Sequence, residues 1–424
     1  VLKFRFIVMV AQEAQNTGEK SPDFYLRDHL QVLAAWVGLT EEKRTARAQK
    51  KIMAPYGHFG PVVFTDGVGF TPLSAQMSPL ELAHALHEYR TTVASHTRQA
   101  GGTPAYPYWA ADETRVYFPH PQDMSVDNLI YRLLAAKEAN DQQLLKMRTV
   151  LDTLNFFVLD GYLYGPGIDN LNDLIEHHTP VANLYITGDT RKWLRDKELL
   201  DSLVFTKKVR NKNLYRMRYR GEPVVAPVDK RGTYPLPFSD QFAAVLERYH
   251  QNGDRNATLA DRYTWNTPVV FVKVNFPQKQ LLLDRLLGQS IADYFIRDAA
   301  RNCGALVGKS DGALAIATAA TPEVAYEFAL TCRQSLKTQD INSAVGVGKG
   351  DLLISRIGRQ PNGTVVDDVV GPVVNELAKL VKKNARQDAL FIHASLAEAL
   401  VIPDNAEKIA ILHGSLTLQA YQVT

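Results

Sequence analysis

Apolar positions along the chain follow two rhythms: short continuous runs, and longer stretches with apolar residues three and four apart. The first rhythm predicts buried strands and the second predicts amphipathic helices. Between Asp23 and about Met53, Leu30, Leu33, Ala34 and Val37 fall at helical spacing. The charged second half of that stretch, EEKRTARAQKKIM, reads as a solvated helix or a linker into the first domain. Pro61–Phe64 is a buried-strand pattern, and Gly and Pro break the regularity in the TDGVGFTPLS that follows. Over Pro79–Ala100, Leu80, Leu82, Ala83, Leu86, Tyr89 and Val93 share one helical face. Ser78 is its predicted N-cap, Pro79 its first residue and Gly101-Gly102 its stop. Thr114–Phe118 predicts a short strand that Pro119 ends, and Val126–Leu154 a second helical segment. This order of strands and helices predicts an α/β or ferredoxin-like sandwich.

The same order begins again near residue 265. VVFVKVNF (Val269–Phe276) predicts a strand, Gln280–Cys303 a helix stopped by Gly304, Asp311–Ala317 a strand and Pro322–Leu336 a helix. Landmarks recur at nearly constant spacing: Phe64 as Phe271, Gly102 as Gly304, Gly165-Pro166 as Gly371-Pro372. The ends also match, RGEPVVAPV (Arg220–Val228) with LTLQAYQVT (Leu416–Thr424). A spacing far longer than any solenoid repeat means a duplicated domain. The expected organisation is an N-terminal helical segment (1–56), a first domain (57–228), a linker (229–264) with a short helix near Asp240–Gln251, and a second domain (265–424).

Composition changes this picture little. The chain has 424 residues, of which 46% are hydrophobic and 22% charged, which excludes a disordered, collagenous or coiled-coil bulk. A formal charge of +3 does not mark a dedicated nucleic-acid binder. Two cysteines, Cys303 and Cys332, supply neither a disulfide framework nor a four-ligand zinc site, and fit a reducing compartment. The opening VLKFRFIVMVA is broken by Lys3 and Arg5 and is too short to span a membrane. The expectation is a cytoplasmic protein with no membrane partner.

Asp66, at the end of a buried strand, and Asp112, just before another, form a candidate carboxylate pair. Two such groups can hold divalent ions that stabilise attacking and leaving oxygens in phosphoryl transfer. Both positions also fit plain turn residues, because Asp is a common turn former. VVFTDGVGFTPLSAQMSPLELAHALHEY (Val62–Tyr89), Gly101-Gly102, AADETRVYF (Ala110–Phe118) and DVVGPVVNELAKL (Asp368–Leu380), in this order, resemble the class III nucleotide cyclases (adenylate and guanylate cyclases). The resemblance covers both repeats and omits the N-terminal segment and the linker. It implies two tandem ferredoxin-like, cyclase-like α+β domains. It further implies conversion of a nucleoside triphosphate to a 3′,5′-cyclic nucleotide and pyrophosphate with two Mg²⁺ or Mn²⁺ ions.

By the same resemblance Asp66 and Asp112 are the metal ligands, Asp368 reads the base and Asn375 orients the ribose. Lys379 then stabilises the transition-state phosphate, and His413 binds the triphosphate. The two repeats have complementary losses. Lys273 stands where Asp66 stands in the first repeat, although Asp311 still matches Asp112, and a cation there repels a metal ion. Aligning Gly165 with Gly371 sets Tyr162, Asp169 and Asp173 opposite Asp368, Asn375 and Lys379. Each repeat is thus half a site, and the resemblance implies an intramolecular pseudo-heterodimer with one competent site at the domain interface. The sequence departs from the family in two places. Lys379 replaces an expected Arg and loses the bidentate fork. The base-selecting lysine falls at Val307, with Lys309 close by. Asp368 favours ATP over GTP, and a pyrimidine cyclase of the antiphage type remains open. A weak or inactive cyclase-like module that binds a nucleotide or a partner protein, including a regulatory one, is the rival.

Three further motifs have plainer readings. GVGKGD (Gly346–Asp351) invites a phosphate loop but reads as a turn, since no Lys-Ser/Thr pair follows. His84 and His87 lie one helical turn apart without further ligands at metal spacing, and read as surface or interface histidines. The basic run KKVRNKNLYRMRYRG (Lys207–Gly221) could meet nucleic acid or an acidic partner, and otherwise is a solvated strand pair.

Overall fold

The apolar runs become the inner strands of two sheets, and the segments of helical spacing pack against them. The computed structural model describes residues 27–110, 112–119, 124–228, 240–251, 263–277, 280–359, 365–384, 388–397, 399–413 and 416–423. Of these, residues within Met53–Phe70 and His84–Leu236 form one compact unit, the first-repeat unit. Those within Val1–Ile52, Thr71–Ala83 and Pro237–Thr424 form the second-repeat unit. The fold class is α+β, with a mixed sheet in each unit. The helices used below are α1 (Arg27–Val37), α2 (Ala46–Met53), α3 (Pro79–Gln99), α4 (Val126–Asp141), α5 (Pro166–His177), α6 (Asp240–Gln251), α7 (Leu282–Cys303), α8 (Pro322–Lys337) and α9 (Pro372–Asn384).

In the first-repeat unit β1 (Gly57–Val68) pairs antiparallel with β3 (Glu113–Tyr117) and β4 (Lys146–Leu159). β4 runs parallel to β6 (Leu184–Thr187), β6 antiparallel to β8 (Lys212–Met217), and β7 (Leu203–Val209) forms the edge beside β8. β2 (Thr103–Ala110) pairs with β3, and β5 (Tyr162–Tyr164) with β4. Val62, Phe64, Val150 and Phe156 share one core with Ile168, Leu171 and Ile175 of α5. Val63, Leu151 and Ile186 share another with Leu129, Ile130 and Leu133 of α4. Helices therefore cover both faces, which is why these strands read as continuous apolar runs rather than alternating ones. Each fully buried Leu, Ile or Val of these cores contributes about 1.5–3 kcal/mol.

The second-repeat unit repeats the pairing. β9 (Trp265–Asn275) pairs antiparallel with β11 (Leu314–Thr318) and β12 (Asn342–Arg359). β12 runs parallel to β14 (Ala389–His393), β14 antiparallel to β16 (Leu416–Val423), and β15 (Ala406–His413) lies beside β16. β10 (Leu306–Ser310) pairs with β11, and β13 (Val365–Val370) with β12. The circuit β3-β1-β4-β6-β8-β7 thus returns as β11-β9-β12-β14-β16-β15. The short helix expected near Asp240–Gln251 is α6. Ser78 caps α3 as expected: its hydroxyl accepts from Glu81 N–H at 3.3 Å, and Glu81 Oε2 accepts from Ser78 N–H at 2.8 Å.

Three sequence expectations change. The helix predicted over Val126–Leu154 ends at Asp141, because residues 146–157 pair one by one with β1 and the strand is rich in β-branched and aromatic residues. GVGKGD is no turn but lies inside β12. A Cβ at Gly346 would stand 2.9 Å from Val381, and one at Gly348 2.8 Å from Val373, so these glycines let α9 settle on the strand. Arg220–Val228 carries no strand, and the pairing counterpart of β16 is β8 rather than that segment. In the N-terminal segment the charged half is solvated as expected, with Met53 the one buried residue of α2, and the apolar half before it packs inward. Val32, Leu33 and Trp36 of α1 are buried, Trp36 Nε1 donates to Asp284 Oδ1 at 2.8 Å, and Gln49 Oε1 accepts from Leu283 N–H at 3.0 Å.

The basic run Lys207–Gly221 includes most of the β7–β8 hairpin, turned by Arg210 and Asn211 at positive φ. Several of its charges are used within the unit. Lys207 Nζ lies 3.2 Å from His178 Nδ1, and Arg210 pairs with Asp173 at 3.4 Å. Lys212 meets the fully buried Asp152, which also accepts from the Thr187 hydroxyl. No helix among the described residues is long and apolar enough to cross a membrane.

Candidate functional site

β1 carries Asp66 to its polar end and β3 begins just after Asp112, so the antiparallel pairing of the two strands brings the carboxylates together. Gly67 N–H donates to Asp112 Oδ2 at 3.2 Å. A Cβ at Gly67 would lie 3.0 Å from that oxygen, so glycine is what lets Asp112 approach the strand. Burial, opposed by Arg148, leaves the Asp66 carboxyl above the ordinary carboxylate value. Glu113 adds repulsion to Asp66 and is itself paired with Arg115 at 2.7 Å.

The residue that sequence reasoning missed is Arg148. It stands directly across from Asp66 in the β1–β4 register. Its Nε donates to Asp66 Oδ2 at 2.7 Å, Nη2 donates to the same oxygen, and Nη1 donates to Thr179 O at 3.1 Å. The two side chains are 20% and 18% exposed. Its signal is hidden in the sequence because KMRTV has the pattern of a helix tail, which does not place Arg148 opposite Asp66.

Two half-buried carboxylates held by a glycine-made cradle are a hard-oxygen donor set that suits Mg²⁺ or Mn²⁺. Asp66 and Asp112 fit such an ion in donor chemistry, and Arg148 already rests on Asp66.

The second repeat lacks this arrangement. Lys273 faces Leu314 and Ala344 across its neighbouring strands, so neither a carboxylate nor an arginine stands at that position. Asp311 spends Oδ1 on its own turn, accepting from Ala313 N–H at 2.9 Å and Leu314 N–H at 2.7 Å. A bulge separates Val307 from Lys309, which is why spacing alone left two positions for a base-selecting lysine. Lys309 is buried.

Asn375 and Lys379 sit one turn apart on α9, both partly exposed, while Val373, Val374, Leu377, Leu380 and Val381 bury the opposite side. Between them Glu376 Oε2 lies 3.3 Å from His393 Nε2. Burial pushes the Glu376 carboxyl up and the His393 imidazole down. Asp368 lies on β13 opposite Ser355, four residues before α9 begins, and its side chain lies outside the described residues. His413 ends β15 opposite Leu416, with its side chain likewise outside them. In the first repeat, Asp173 lies 3.6 Å from His178 and also pairs with Arg210, so it acts there as a counter-charge. The structure thus joins Asp66 with Asp112 in one unit, and Asn375 with Lys379 in the other.

No protein-family model matches the chain, and no curated protein matches it. Among solved structures, it is similar to the guanylate cyclase domain of RhGC from Catenaria anguillulae in complex with GTP, at 16% identity over 38% of this chain and 97% of that one, with a TM-score of 0.32. An adenylate/guanylate cyclase/hydrolase from Silicibacter pomeroyi matches at 15% identity over 38% of this chain and 97% of its own, with a TM-score of 0.31. A class III adenylyl cyclase-like ATP-binding protein from Pseudomonas aeruginosa matches at 12% identity over 81% of this chain and 85% of its own, with a TM-score of 0.49. At these identities and scores the likeness assigns no residue a role.

Proposed function

We propose that the chain is a nucleotidyl cyclase that converts a nucleoside triphosphate, ATP first, into a 3′,5′-cyclic nucleotide and pyrophosphate. The observation that carries this reading is the meeting of Asp66 and Asp112 across Gly67. A bound Mg²⁺ or Mn²⁺ pair would supply charge neutralisation at the reacting phosphate. On this reading Asp66 and Asp112 hold the ions. Asp368 accepts a hydrogen bond from the exocyclic amine of the base, and Asn375 orients the ribose. Lys379 places its ammonium against the charge that develops on the transferring phosphate, and His413 contacts the triphosphate.

The test is incubation with ATP, CTP, GTP and UTP in the presence of Mn²⁺, with cyclic products identified by mass spectrometry. Absence of a cyclic nucleotide from all four would refute the reading. A second reading, a cyclase-like module that binds a nucleotide without turnover, is favoured by one observation: Arg148 already satisfies Asp66. ATP binding seen by calorimetry without any cyclic product would single it out.

A further inference from the structure

Arg148 stands across the sheet from Asp66 as its register partner, so the contact is built into the β1–β4 ladder rather than made by a loop. The guanidinium is also anchored behind: Nη1 donates to the carbonyl of Thr179, a residue that is itself buried. The other two nitrogens, Nε and Nη2, each donate to one carboxylate oxygen, Asp66 Oδ2. A divalent ion that needs the same carboxylate meets a fixed positive charge on it, and two cations on one oxygen repel each other. In the second repeat the pair is absent on both sides, since Lys273 faces Ala344.

We propose that Arg148 is a resident counter-cation of the Asp66–Asp112 seat, and that a divalent ion enters only in exchange for its guanidinium. The proposal rests on the reading of Asp66 and Asp112 as metal ligands, and it concerns what holds the seat before the ion arrives. The exchange makes the free protein a weak metal binder and keeps a half-buried aspartate from standing uncompensated when no metal is bound. Any ligand that draws Arg148 away from Asp66 would tighten metal binding by the same free energy, because coupling between two ligands is reciprocal.

The test uses the full chain and Mn²⁺ alone, without nucleotide, with free Mn²⁺ read by electron paramagnetic resonance. Arg148→Gln is expected to bind Mn²⁺ roughly 10–100-fold more tightly than wild type, the order of a charge-assisted contact that the ion no longer has to displace. Arg148→Lys keeps a positive charge at the seat and is expected to stay near wild type. Asp66→Asn should abolish the gain in an Arg148→Gln background. Thermal unfolding of each variant confirms that it is folded. Arg148→Gln affinity equal to or weaker than wild type overturns the exchange and leaves the metal reading standing, as does an Arg148→Lys protein as tight as Arg148→Gln. If neither wild type nor Arg148→Gln binds Mn²⁺, both the exchange and the metal reading fall.

Discussion

Replacing Gly67 with Ala tests the cradle of Asp112 without touching either carboxylate. The added Cβ would stand 3.0 Å from Asp112 Oδ2 and 3.1 Å from Asp112 Cβ. Carbon–carbon contacts settle at about 3.5–4.0 Å, so Asp112 has to retreat by roughly half an ångström. The 3.2 Å hydrogen bond from Gly67 N–H lengthens with it. Overpacking of this kind costs about 1–3 kcal/mol. For a unit of this size that is a fall in Tm of roughly 2–12 °C, at about 2–4 °C per kcal/mol. Metal ligands have to be held to about 0.5 Å, so the expected loss of Mn²⁺ affinity is roughly 10–100-fold, as when a ligand loses its supporting contact. Mn²⁺ titration in wild-type and Arg148→Gln backgrounds reads the affinity, scanning fluorimetry reads Tm, and cyclic-nucleotide formation reads turnover. A Gly67→Ala protein with unchanged Tm, Mn²⁺ affinity and rate would show that Gly67 does not seat Asp112.

Asp66→Ala is expected to abolish cyclic-nucleotide formation with the fold intact by circular dichroism, while Asp311→Ala, whose carboxylate only closes its own turn, leaves the rate near wild type; equal losses would sink the assignment of the metal seat to the first repeat. Lys379→Ala should lower kcat by roughly 10²–10³-fold with a modest change in KM, and Lys379→Arg should equal or exceed wild type; a full kcat in the alanine variant removes the role. With Asp368 reading an exocyclic amine, ATP is used first, CTP second, and GTP and UTP poorly; Asp368→Asn should blur that order, and a wild-type protein making mainly cyclic GMP or cyclic UMP rules the reader out. Lys212→Met leaves the fully buried Asp152 without its counter-charge and should cost about 3–5 kcal/mol in urea unfolding. Burial already holds the Asp152 pKa above its ordinary 3.8, so the folded state binds that proton more tightly and stability falls as pH rises from 3.8 through the folded value. Removing Lys212 should extend that fall to higher pH, and a variant with wild-type pH dependence would contradict it.

Much of this was legible in the amino-acid order. Continuous apolar runs such as PVVF and VVFVKV predict strands covered on both faces, and the structure places helices on both sides of β1. Gly304 stops α7 in the left-handed region, and the landmarks that recur along the chain fall on two sheets with the same pairing circuit. Asp66 and Asp112 were visible as carboxylates at strand ends because their local turn chemistry is written in their immediate neighbours. Other features depend on partners far away in the chain. Lys146–Leu159 has side chains compatible with either a helix tail or a strand, and only its ladder with β1 decides for the strand. The same ladder puts Arg148 on Asp66, a contact across 82 positions that no local window contains. The glycines of GVGKGD read as a turn until α9 is seen pressing on them. The bulge at Val307–Lys309 shifts a register that spacing alone assumes to be continuous. Hydrophobic periodicity and turn residues act over a few neighbours and are therefore readable in one dimension. Register, close approach and counter-charge are set by which strands pair, and that is settled only when the whole sheet buries its apolar faces.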